Sequence, residues 1–192
     1  MSYTTYTTDA LVCGTWSRNT ADRSYLFFTR EAGMLYAEAR SAREERSKQR
    51  FALQDFSLVR VSLIKGKNSW KVGSIESKRN YFMDAKSKEA RGSVVSTVRF
   101  LRRFFSGEQA VPVLFDYVVE ALTLLVQESE QREFIEKSVQ VHILLDLGYV
   151  DGGVVPDFIQ AGSLQNIEEK YAPGVLLALD TLILKAVSTS HL

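Results

Sequence analysis

The chain has 192 residues, with 24 Lys and Arg against 23 Asp and Glu for a formal net charge of +1, and 45% of it is hydrophobic. That composition excludes a disordered, collagen-like or disulfide-framed chain, and a chain this long buries roughly 70% of its unfolded surface, enough for one sizeable core or two small ones. Its one cysteine, Cys13, excludes an internal disulfide and a cysteine-cluster zinc site, and suits a reducing compartment.

The first 80 residues read as β structure. Tyr6–Trp16 is rich in Thr, Val and aromatic residues, which favour a pleated, half-buried surface. Arg23–Thr29 and Gly33–Ala39 flank the polar connection Arg30-Glu31-Ala32, a hairpin closed at Gly33. Asp55–Lys65 alternates, with Val59, Val61 and Leu63 on one face and Arg60 and Ser62 on the other. Gly66-Lys67-Asn68 marks a turn, and Ser69–Ser77 returns with Trp70 and Val72 on one face. The longest connection, Arg40–Gln54, is charged and reads as part loop, part short helix. Five strands spaced this way fit a small closed barrel of the OB type. Periodicity alone leaves a five-stranded open sheet as the alternative.

From about Tyr81 the period becomes helical. Ser93–Phe105 carries Val94, Val95, Val98, Leu101, Phe104 and Phe105 in a stripe that stops at Ser106-Gly107. Pro112 suits the first turn of a helix with Phe115, Val118, Leu122 and Leu125 on one side. Arg132–Leu147 follows, ended by Gly148. Gly148–Gly162 is a loop with one short apolar stretch, and a last helix runs from near Pro173 to about Ser188. The expected fold is therefore α+β: a five-stranded OB-type barrel over residues 1–80, then an all-α bundle over 81–192.

The charge is split the same way. Residues 1–105 hold 20 Lys and Arg against 10 Asp and Glu, a net of +10, and residues 106–192 hold 4 against 13, a net of −9. Local fields rather than the total steer charged ligands, so the basic half invites a polyanion. The N-terminus lacks the basic-then-apolar pattern of a signal peptide. No apolar run approaches the roughly 18 residues of a spanning helix, since Val175–Leu184 is broken by Asp180. The expectation is a cytoplasmic chain without a membrane partner.

Phe28-Thr29-Arg30-Glu31 with Gly33, Arg40-Ser41-Ala42-Arg43, Ser47-Lys48, Ala52-Leu53-Gln54-Asp55-Phe56-Ser57, and Leu144-Leu145-Asp146-Leu147-Gly148-Tyr149 stand out along the chain. Together these segments resemble the bacterial recombination mediator RecO family. Ser190-His191-Leu192 adds a weak echo of that family's final segment. The resemblance implies an OB barrel followed by a helical domain, binding of single- and double-stranded DNA, and strand annealing. It also implies contact with the acidic tail of single-stranded-DNA-binding protein, and with RecR in loading the recombinase. Many members carry four zinc-binding cysteines after the Gly-Tyr pair, where this chain has Tyr149–Pro156 as YVDGGVVP. No metal or other cofactor is therefore expected, and RecR docking stays open.

The residues themselves supply candidates for DNA contact. Arg40, Arg43, Arg46, Lys48 and Arg50 put five positive charges in eleven residues, and Lys65, Lys67 and Lys71 surround the fourth strand turn. In an OB barrel the connections between strands 1–2 and 4–5 border the oligonucleotide face; here those are Ser17–Asp22 and Gly66–Asn68. Arg99, Arg102 and Arg103 share one helical face and either extend that path or form ordinary ion pairs. Tyr25, Tyr36 and Trp70 are the candidate stacking surfaces for bases, set against the plainer reading that such aromatics fill the barrel. Arg132 and Lys137 are the candidate cations for the acidic partner tail. Catalysis has no motif behind it. His142 sits in an apolar stripe as a hydrogen-bonded core residue, and Cys13 packs as a small hydrophobe. The rivals to a DNA mediator are a protein-only adaptor that pairs its basic half with an acidic partner or a second copy, and a small-molecule enzyme.

Overall fold

The computed structural model describes residues 5–17, 22–39, 51–67 and 69–190. Arg40, Arg43, Arg46, Lys48 and Arg50, the loop–helix reading of that segment, Asn68 and the terminal His191-Leu192 lie outside them. The chain divides into two compact units. Met1–Asp84 with Ser106–Phe115 make the first, and Ala85–Phe105 with Asp116–Leu192 the second. The change from strand to helix falls at Asn80/Tyr81, but a stretch beyond that boundary rejoins the first unit.

Five strands build the first unit: β1 (Thr5–Ser17), β2 (Arg23–Thr29), β3 (Gly33–Ala39), β4 (Ser57–Lys65) and β5 (Trp70–Asn80). They close in the order β1-β2-β3-β5-β4, and β4 pairs back onto β1. Every neighbouring pair is antiparallel except β3 with β5, which run parallel through Ala37↔Trp70 and Glu38↔Lys71. That ring is the OB order, and the open-sheet alternative falls because the long β1 serves both β2 and β4. Period-2 alternation sends Val59, Val61 and Leu63 inward with Tyr25, Phe27 and Leu35, while Arg60 stays in solvent.

One feature of β1 breaks the alternation. The register against β2 slips between Val12 and Gly14, so a bulge at Cys13 inserts an extra residue. Ala10 and Val12 face the core before it. After it Thr15 sits opposite the inward Tyr25, and Trp16 is turned to the outer face. A one-residue slip exchanges the two faces of a strand.

Because β3 meets β5 over so short a stretch, the start of β3 needs another neighbour. The strap Ser106–Val111 supplies it, and the Met34 amide donates to the Gly107 carbonyl at 2.9 Å. Gly33, at φ +68°, closes the β2–β3 hairpin directly under this strap. A Cβ there would stand 2.3 Å from the Gln109 carbonyl oxygen and 2.6 Å from that of Gly107. No other residue fits the hairpin without moving the strap.

The helices that lie wholly within the described residues are α1 (Tyr81–Asp84), α2 (Lys88–Phe104), α3 (Pro112–Leu125), α4 (Arg132–Asp146), α5 (Asp157–Gln160) and α6 (Pro173–Thr189), with 3-10 turns at Gly152–Val154 and Ile167–Lys170. Helix α2 begins five residues before the Ser93 expected from its apolar stripe. Its polar first turn is held by Ser87, whose hydroxyl accepts from the Ala90 amide. Helix α4 is buried on several sides, at Phe134, Ile135, Val139, Val141, Ile143 and Leu144. It is the centre of the second unit, against which α2, α5 and α6 pack. It stops as expected at Gly148, in the left-handed region at φ +76°, where the Tyr149 amide donates back to the Leu144 carbonyl at 2.8 Å. No helix among the described residues is long and apolar enough to cross a membrane.

Candidate nucleic-acid interface

The ring brings several sequence-distant residues to one end of the barrel. Ser17 pairs with Arg23, Arg23 with Ala39, Glu38 with Lys71, and Lys65 with Trp70. The end of β1, the start of β2, the end of β3 and the β4–β5 turn therefore share an edge. Cross-strand partners point to the same side of a sheet, so Trp16, Ser24, Glu38 and Lys71 form one outward row across four strands. Tyr36, two residues before Glu38, faces the same way.

Trp16 and Tyr36 meet on this face, their ring centroids 5.6 Å apart and their planes tilted by 54°. They are 40% and 59% exposed respectively. An exposed aromatic pair of this kind offers flat faces for unpaired bases. Tyr36 is among the sequence candidates, and Trp16 is not. Plain alternation along Tyr6–Trp16 puts Trp16 in the core with Val12, and only the bulge at Cys13 reverses it. The sole signal is the Cys13-Gly14 step, where glycine in a strand interior accompanies bulges.

The other two stacking candidates are corrected. Tyr25 is fully buried among the core residues between β1 and β3. Burial pushes its hydroxyl above the ordinary tyrosine value, and the charge of Arg23 offsets part of that rise. Trp70 is 7% exposed, with its ring at the edge of the barrel core against Tyr6, at 5.5 Å between centroids. Its indole N–H donates to Glu108 at 2.9 Å. Both side chains lie on the inner face of their strands, because Tyr25 alternates with Phe27 and Trp70 with Val72.

Three lysines stand at the β4–β5 turn. Lys67 and Lys71 are exposed. Lys65 places its Nζ 4.9 Å over the Trp70 ring and 3.5 Å from a Glu108 carboxylate oxygen. Elsewhere on the barrel three described cations are met by carboxylates. Lys78 and Arg60 both reach Asp9, at 2.7 and 3.7 Å, and Arg79 reaches Asp84 at 2.9 Å.

Arg99, Arg102 and Arg103 lie on the exposed side of α2, opposite the buried Val94, Val98 and Leu101. The Arg103 guanidinium sits 5.5 Å over the Phe104 ring. They belong to the second unit, whereas the aromatic pair and the lysines belong to the first.

Arg132 and Lys137 line one open groove of about 860 Å³ in the second unit, together with Glu89, Glu128, Glu130, Glu133 and Glu136. The Arg132 guanidinium donates to the Leu125 carbonyl at 2.6 Å and to that of Gln127, closing the end of α3. Lys137 is bound to Asp180 of α6 at 2.5 Å. Hydrogen bonds from its own backbone amide and from Ser87 hold the Glu89 carboxyl below the usual carboxylate value. The groove thus presents five carboxylates and two cations that are already engaged. The sequence expectation places the acidic partner tail on Arg132 and Lys137; the groove they line is net acidic, and like charge disfavours an acidic peptide there.

His142 has its Nδ1 2.8 Å from the Ile159 carbonyl oxygen, and its ring lies 3.8 Å from that of Tyr117. Cys13 is buried, with Sγ 3.6 Å from the Leu11 carbonyl. Both are core contacts. No protein-family profile matches the chain, and no curated protein matches it.

Proposed function

We propose that this chain is a DNA-binding repair mediator of the RecO type, which binds single- and double-stranded DNA and promotes annealing of complementary strands. The observation that carries the reading is the outward Trp16–Tyr36 pair on an OB-order barrel, at the edge that also bears Lys65, Lys67 and Lys71. Cations at such an edge follow the phosphates, and the rings take bases that have left the stack. Annealing follows from the same electrostatics: neutralising the phosphates of two strands lowers their repulsion and leaves base pairing to proceed.

The proposal includes a cytoplasmic protein that works with single-stranded-DNA-binding protein and RecR in loading a recombinase. The partner's acidic tail would need a surface other than the groove with five glutamates. Fluorescence anisotropy with a labelled single-stranded oligonucleotide, followed by an annealing assay with its complement, tests the reading. Salt-sensitive binding and accelerated annealing support it. No binding, together with self-association at low salt that disappears at high salt, overturns it in favour of a protein-only adaptor.

A further inference from the structure

The indole N–H of Trp70 and the ammonium of Lys65 converge on a single carboxylate, that of Glu108. Trp70 is held in place by the barrel core and its N–H is fixed, while Lys65 lies in solvent above the same ring. The carboxylate comes from neither strand. It is carried by the strap Ser106–Val111, which is hydrogen-bonded to β3 through Met34. Glu108 is also the first acidic residue of the chain's acidic stretch, and it is set among the cations of the β4–β5 turn.

A fixed buried-edge donor next to a movable cation is the arrangement that binds an anionic oxygen strongly, because charge-assisted hydrogen bonds are shorter and stronger than neutral ones. A carboxylate and a phosphodiester present the same acceptor chemistry to that pair. We propose that Lys65 and the Trp70 indole N–H form an anion subsite, that Glu108 fills it from within the chain, and that a phosphate of a bound nucleic-acid strand displaces Glu108. The inference rests on the DNA-binding reading and adds a restraint to it. The resting barrel masks one of its own phosphate contacts, so binding requires the Glu108 side chain to swing away while the strap stays anchored at Gly107.

The test uses the full chain as wild type, Glu108→Gln, Lys65→Gln and the double variant. Glutamine keeps an oxygen for the indole N–H and removes the charge. Binding of a fluorescent single-stranded oligonucleotide is measured at low salt. The expected result is a gain of roughly 1.5-fold to fivefold for Glu108→Gln, the range that an exposed ion pair is worth, and loss of that gain when Lys65→Gln is added. Equal or weaker binding by Glu108→Gln overturns the inference while leaving the DNA reading intact. Absence of binding by wild type and every variant overturns both.

A second readout follows the Trp70 indole N–H resonance by NMR. Movement on adding oligonucleotide but not inorganic phosphate assigns the subsite to a strand phosphodiester. Movement with both assigns a general phosphate site. Movement with neither overturns the proposal.

Discussion

Replacing Gly33 by alanine tests whether the strap is built into the barrel. The backbone at Gly33 sits at φ +68°, where an L side chain costs about 1–2 kcal/mol. The added Cβ would then lie 2.3 Å from one strap carbonyl oxygen and 2.6 Å from another. Neither atom belongs to a flexible side chain, so the strap itself must move. Its movement breaks the Met34–Gly107 hydrogen bond and disturbs that between Trp70 and Glu108, each worth about 1 kcal/mol net. The expected loss is about 3–4 kcal/mol. Gly107 provides the control, since its φ is +102° but a methyl group added there meets nothing within 4 Å. Gly107→Ala should therefore cost only the backbone strain, about 1–2 kcal/mol. Urea unfolding followed by tryptophan fluorescence reads the barrel through Trp16 and Trp70. Equal losses for the two variants would refute the claim that the strap packs on the hairpin.

Trp16→Ala and Tyr36→Ala should each weaken single-strand binding at least fivefold, since a base stacked on an aromatic ring is worth about 1–3 kcal/mol, and unfolding curves should show both variants folded. In the second unit, burial raises the Tyr117 hydroxyl well above the ordinary tyrosine value, with Glu120 and Asp146 adding to the rise. An unfolded tyrosine gives up its proton near pH 10 while folded Tyr117 keeps it, so its contribution is fully present below that pH and is lost progressively above it. Unfolding midpoints should fall between about pH 9 and pH 11 in wild type, and fall less in Tyr117→Phe. Lys137→Met, which removes the partly exposed ion pair to Asp180, should cost less than about 1 kcal/mol in urea unfolding.

Much of the fold was legible because β4 alternates between a buried and a wetter face. Val59, Val61 and Leu63 alternating with Arg60 and Ser62 could be placed from the pattern alone, and the hairpin at Gly33 from its turn residues. Closure was expected from the number and spacing of the strands but not from periodicity, since it depends on β1 being long enough to pair with two partners. The start of α2 was missed because Lys88–Gly92 offers no apolar period, and the cap at Ser87 is what holds it. The site was read less well for two physical reasons. A bulge reversed the parity of β1 and turned Trp16 outward, while strict alternation carried Tyr25 and Trp70 inward. Glu108 lies 38 residues from Trp70 in sequence, in a strap without periodicity, and only the fold joins them. The cations Arg132 and Lys137 looked available because the sequence does not show that one closes a helix end and the other binds Asp180.

The central claim is that the barrel edge binds nucleic acid through its phosphates, and the salt dependence of binding tests it most directly. Neutralising three phosphates with Lys65, Lys67 and Lys71 gives a slope of about −2 in a plot of log affinity against log salt for a single strand. The account predicts a wild-type slope at least that steep, and one shallower by about 2 when all three lysines are changed to glutamine. Binding that is absent, or whose slope the triple variant leaves unchanged, would contradict it.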